Sequence, residues 1–207
     1  MSADPAAGRP RLTVLTGGLG VPQAPKVTLA EHLAAHPEVV ARFRRYRCTA
    51  AGPDGCWWWT GALNGDTGHG ELKIGQRPGP NGQPIDWVEY AHRIAFVLAG
   101  GVITPDRPIV RHLCDESSCT NDRCLTGGGR SENALDWFAR RGDPASPLTD
   151  RRGPYRRALA IREAIRAAGT HPQDQLRAAL AAADAGMPSW RQLSLLTPGQ
   201  ASPDVPT

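Results

Sequence analysis

Apolar residues recur along this chain in short runs whose spacing shifts from helical to strand-like and back. Thr28 precedes Glu31 by three residues, the spacing of a capping box, which predicts a helix opening there. Pro37 suits the first turn of a second helix, carried by Val39, Val40 and Phe43 into Arg44-Arg45-Tyr46-Arg47. Residues Ala51–Gly55 read as a turn. Cys56-Trp57-Trp58-Trp59-Thr60 reads as a strand, because aromatic side chains suit a pleated, half-buried surface. On it Trp58 faces opposite to Trp57 and Trp59. A Gly/Asn/Asp connection over Gly61–Gly70 leads to a short strand at Glu71–Ile74. Arg77–Pro84 is a turn, with Asn81-Gly82 its sharpest signal. Trp87–Ala99 reads as a strand running into a helix around His92–Leu98. Ile109–Val110 is a strand, residues Asp115–Asp122 a loop, and Cys124–Thr126 a strand or turn. A helix bearing Asn133, Asp136, Trp137 and Phe138 follows three glycines, with Ser131 as its candidate cap. Beyond Gly142, Pro144–Gly153 reads as a linker, and Tyr155–Ala168 and Gln173–Ala185 as helices.

This pattern predicts an α+β domain at 27–143 with a basic helical extension at 144–193. Flanking it are a disordered arm at 1–26, rich in Pro, Gly and Ala, and a disordered tail at 194–207. The 207 residues suffice for one domain of ordinary size plus extensions. Charge sharpens the picture. The net charge is +4, and lysine occurs only at Lys26 and Lys73, so the positive surface is arginine. Arginine forks bidentately onto phosphate, although a G+C-rich genome explains the same bias. No apolar run approaches the roughly 20 residues of a membrane span; the longest candidate, Ile94–Ile103, is broken by Gly100 and Gly101. The N-terminus lacks a basic region followed by an apolar core, so the expected location is cytoplasmic. There, cysteines favour metal over disulfides.

The chemistry concentrates between residues 111 and 136. Cys114, Cys119 and Cys124 are spaced C-x4-C-x4-C in a polar loop, and Cys56 lies well upstream. Four thiols suit a closed, tetrahedral structural zinc site. Cys48 is the spare thiol, or the replacement for Cys56. His112 stands outside the thiol set and is a candidate general base; as a free imidazole it would lose that role below about pH 6.5. Asn133 and Asp136, three apart on a helix, could present two oxygens to a hard cation. His92 sits in an apolar helical run, where packing explains it as well as function; His69 and His32 read as structural or exposed. The helix at 155–168 carries Arg156, Arg157, Arg162 and Arg166, a basic face suited to DNA or simply to solvent.

Five elements in order resemble an HNH endonuclease of the branch found in phage and actinobacterial genomes. They are Cys56-Trp57-Trp58-Trp59-Thr60-Gly61-Ala62, then Gly68-His69-Gly70 with histidine where tyrosine is usual, and then Ala91-His92-Arg93. The last two are Arg111-His112-Leu113-Cys114-Asp115 with Cys119-Thr120-Asn121, and Glu132-Asn133 with Asp136. The resemblance covers about residues 40–140. It implies a ββα-metal core with structural Zn2+, flanking helices, and cleavage of double-stranded DNA to 5′-phosphate and 3′-hydroxyl ends. It also implies His112 as base, Arg111 and Asn133 at the reacting phosphate, and a Mg2+ or Mn2+ ion on Asn133 and Asp136. Arg93, Arg130, Arg156 and Arg157 are the arginines assigned to DNA. Two positions depart from the family: Cys124 stands for a histidine, and Arg111 stands where Asp or His often holds the working metal. Both departures also fit a zinc-stabilised DNA-binding module without cleavage; a third possibility is an accessory protein of phage DNA packaging.

Overall fold

The computed structural model describes residues 27–188. The arm at 1–26, the tail at 194–207 and the end of the extension lie outside the described residues. The fold is mixed helix and sheet, as the α+β expectation requires. Helices α1 (Leu29–Ala35) and α2 (Pro37–Arg45) open it, and the capping box between Thr28 and Glu31 is present. Strand β1 (Arg47–Cys48) pairs with β2 (Trp58–Trp59). Strands β3 (Ala62–Leu63), β4 (Gly70–Pro78) and β5 (Pro84–Tyr90) form an antiparallel sheet in that order. Helix α3 (Ala91–Leu98) follows β5 directly. Strands β6 (Ile109–His112) and β7 (Leu125–Gly128) make a hairpin whose long loop carries three cysteines, and α4 (Arg130–Arg140) leaves its end. Helices α5 (Gly153–Ala167) and α6 (Pro172–Asp184) close the described chain. Among the described residues no helix is long and apolar enough to cross a membrane.

Two adjacent tryptophans join two cores. Neighbouring side chains on a strand point to opposite faces. Trp59 therefore enters a core with Phe43, Leu72, Ile94, Val110 and Leu125. Trp58 enters a second core with Cys48, Ile161, Ile165 and Ala179. Trp59 stacks on Phe43 at 5.6 Å between ring centroids, and its Nε1 donates to the Ala62 carbonyl at 2.9 Å. Two glycines make room for its indole. A Cβ at Gly61 would lie 2.7 Å from the ring, and one at Gly70 would lie 2.5 Å from it. The Trp-Thr-Gly-Ala element thus encodes packing.

Three sequence expectations change. Strands β4 and β5 are longer than predicted, because the Asn81-Gly82 turn lets pairing extend to Pro78 and Pro84. The cap of α4 is Gly129, not Ser131: Gly129 N donates to Glu132 Oε2 at 2.6 Å, so the helix begins one residue after the strand. The segment at 144–153 is not a free linker. Ser146 Oγ donates to Asp115 Oδ2 at 2.8 Å, and Asp150 is buried against Arg157. The C-terminal extension is therefore part of the second core.

Candidate metal centre and histidine cluster

Four thiols from distant segments meet because backbone pairing carries Cys56 across to the β6–β7 loop. Trp58 forms an antiparallel bridge with Cys119. On either side, Trp59 N donates to Ser118 O at 2.9 Å and Thr120 N donates to Trp57 O at 2.7 Å. Asn121, fully buried, completes the attachment. Its Nδ2 donates to Pro53 O at 2.8 Å and Gly55 O at 2.7 Å, while its Oδ1 accepts from Arg123 N at 3.1 Å. The result places the sulfurs of Cys56, Cys114, Cys119 and Cys124 within 4.8 Å of one another. All are free thiols. Cys48 is excluded: it is buried in the second core, where its thiol faces Gln175 Oε1 at 3.6 Å.

Such crowding suppresses thiolates. Cys56 is pushed well up, first by its hydrogen bond with Cys114. Cys124 is pushed up to about 11, again first by Cys114. For Cys119 the hydrogen bond with Cys114 works downward, but those with Cys124 and Cys56, with burial, outweigh it. A cation among the four reverses this balance, because a coordinating thiol gives up its proton. The set could hold one metal ion.

Next to this loop, β6 ends in two side chains that alternate across the strand. Arg111 turns to α4 and His112 turns to α3. His112 there meets two histidines that sequence reasoning treated as packing or surface. His69 precedes β4, and His92 is the second residue of α3. Ring centroids lie 4.7 Å apart for His69–His92, 4.8 Å for His92–His112 and 5.5 Å for His69–His112. Among the described residues neither ring nitrogen of His112, nor Nδ1 of His92, has a hydrogen-bond partner, though all are buried. Burial lowers all three pKa values: His69 to about 4, His112 to about 3, and His92 well below the usual value. Neighbouring positive charge adds to this at His92 and His112. The rings are neutral near pH 7, so the acid limit expected near pH 6.5 moves down. All three histidines lie within the motif elements. Their shared occurrence there was the available signal.

On the other face, Arg111 binds the Asp136 carboxylate and lies 3.5 Å from Glu132 Oε1. Gly128 makes room for it, since a Cβ there would sit 2.5 Å from Arg111 Nε. Arg140 approaches the same Asp136 oxygen at 3.3 Å. Asp136 thus already carries two guanidinium groups, and Asn133 is exposed. The cation pair expected at Asn133 and Asp136 is compensated by protein charge.

The arginines assigned to DNA divide. Arg130 and Arg156 are exposed. Arg93 is committed to Glu89 Oε1 at 2.8 Å and the Pro108 carbonyl at 2.7 Å. Arg157 is buried, at 7% exposure, and binds Glu116 at 2.8 Å and Asp150 at 3.0 Å. It is an internal ion pair and not a DNA contact. Arg162 and Arg166 donate to Gly61 O at 3.2 Å and Thr60 O at 2.6 Å, so much of the basic face of α5 turns inward. Compared with known protein families, curated proteins and solved structures, the chain shows no match.

Proposed function

We propose that this chain is an HNH-type endonuclease that hydrolyses phosphodiesters of double-stranded DNA. The observation carrying this reading is His112: a neutral imidazole whose two ring nitrogens are buried without a hydrogen-bond partner, at the end of the first strand of a hairpin–helix unit. A neutral imidazole can accept a proton, which a general base requires. His112 takes a proton from water, the resulting hydroxide oxygen bonds to phosphorus, and the bond to the leaving 3′ oxygen breaks. That oxygen takes its proton from solvent. Arg140, whose positive charge bears on His112, offsets charge developing on the phosphate, while Arg111 stays paired with Asp136 on the opposite face of β6.

The four cysteines fit Zn2+, whose structural sites are tetrahedral and closed. Zinc there would fix the loop after His112 and leave no open position for substrate. Asn133 and Asp136 do not fit a Mg2+ or Mn2+ ion as they stand, because two arginines already neutralise the carboxylate. That same observation favours a second reading, a zinc-stabilised DNA-binding module without cleavage.

Plasmid nicking, with and without Mg2+ or Mn2+, separates the two. His112→Ala is expected to lower cleavage about 10²- to 10⁴-fold while zinc content and duplex binding persist. Equal cleavage by the variant removes His112 from the mechanism. Duplex binding without nicking by the unmodified protein leaves the second reading.

A further inference from the structure

We propose that His69, His92 and His112 form a second metal site, separate from the cysteines, for a borderline transition-metal ion such as Zn2+ or Co2+. Three independent elements supply the ligands: the turn before β4, the first turn of α3 and the end of β6. One nitrogen from each lies within 4.8 Å of the others, so a single ion can reach all three. The rings are tilted against one another by 35–54°, which lets their edges converge where stacked faces would not. His92 is 5% exposed with Nδ1 unpartnered, and both nitrogens of His112 are unpartnered and buried. Buried polar groups are ordinarily hydrogen-bonded. Each neutral ring has one nitrogen with a free lone pair, and unpartnered nitrogens on two rings of one cluster indicate a ligand that accepts such lone pairs.

The donor set selects the ion. Three imidazoles without a carboxylate suit Zn2+, Co2+, Ni2+ or Cu2+ and disfavour Mg2+ and Ca2+, which take oxygen ligands. Three protein ligands, unlike four, leave a coordination position for water or an anionic oxygen. Metal binding here stands without the nuclease reading. Its effect on cleavage rests on that reading: an ion on His112 takes the lone pair required of the base, so loading this site slows cleavage.

The test is a Co2+ titration of untagged, metal-stripped full-length protein, followed by absorption, with bound zinc counted separately. Two equivalents are expected. One gives intense thiolate-to-cobalt charge transfer in the near ultraviolet, and the other only weak visible bands. His69→Tyr and His92→Gln should each lose the weak-banded equivalent and retain the thiolate signal. Saturation of the unmodified protein at one equivalent overturns the proposal. So does a second equivalent that survives in both variants. His69→Tyr keeps a ring on a partly exposed turn, so it serves alone where His92→Gln fails to fold. The nicking assay at rising Zn2+ then gives the effect on cleavage, and absence of any nicking leaves the metal count intact.

Discussion

At the scale of single residues, the histidine cluster makes stability depend on pH with a defined sign. His69 and His112 titrate in the folded protein near 4 and 3, below the unfolded value of about 6.5. Between those limits the unfolded chain binds protons that the folded chain does not, so stability falls as pH falls from about 6.5. Each such histidine contributes a slope of up to about 1.4 kcal/mol per pH unit. Loss of a metal from the cysteines would also weaken the fold in acid, and it acts equally on a histidine variant when the histidine site is left unloaded in both proteins. Denaturant unfolding of the unmodified protein and of His69→Tyr from pH 7 to 4.5 isolates the histidine part. The unmodified protein should lose stability faster by about 1.4 kcal/mol per pH unit. Parallel curves would mean that His69 is not buried as a neutral ring.

At the scale of elements, the cysteine loop was legible because its ligands are marked by spacing. Three thiols at a five-residue interval, in a loop without apolar content, have no core of their own to pack into and suit a shared metal ion. The choice of Cys56 over Cys48 was not legible, because it depends on β2 pairing with residues 118–120. Asn121 is the residue that makes this pairing close. Its amide holds the turn before Cys56 to the loop through two carbonyls. Asn121→Ala removes both bonds and strands buried acceptors, at about 1–3 kcal/mol each. Cys56 is thereby loosened from the other three ligands, and outer partners of a metal site typically change affinity 10–100-fold. Competition with a chromogenic chelator should show zinc affinity reduced by about that factor. An unchanged affinity would assign Asn121 to loop stability alone. The pairing of Arg111 with Asp136 was illegible for a related reason. Residues 25 apart meet only because β6 and α4 fold back on each other.

At the scale of the molecule, the composition of residues 144–153 misled in an instructive way. Proline and glycine mark a change of direction, and they are read as a linker when nothing distant is in view. Here they turn the chain so that α5 can cover the face of β2. Ile161 and Ile165 then bury against Trp58 and Cys48, and Arg157 reaches Glu116 in the cysteine loop. A chain ending at residue 143 is therefore expected to be unstable, rather than the independent core that linker composition suggests. Burial of the two isoleucines and Trp58 contributes about 5–9 kcal/mol at 1.5–3 kcal/mol per large side chain. Arg157→Met tests the polar part of the same contact without shortening the chain. It leaves Glu116 buried without its cation, while Asp150 keeps Arg152, and the unpaired charge should cost about 3–5 kcal/mol. Thermal unfolding of zinc-loaded protein measures both changes. A truncated chain that unfolds cooperatively near the full-length midpoint would return α5 and α6 to the role of an appended extension. Loss of the transition in the truncated chain, with a lowered midpoint in Arg157→Met, would establish that the cysteine loop draws its support from the C-terminal helices.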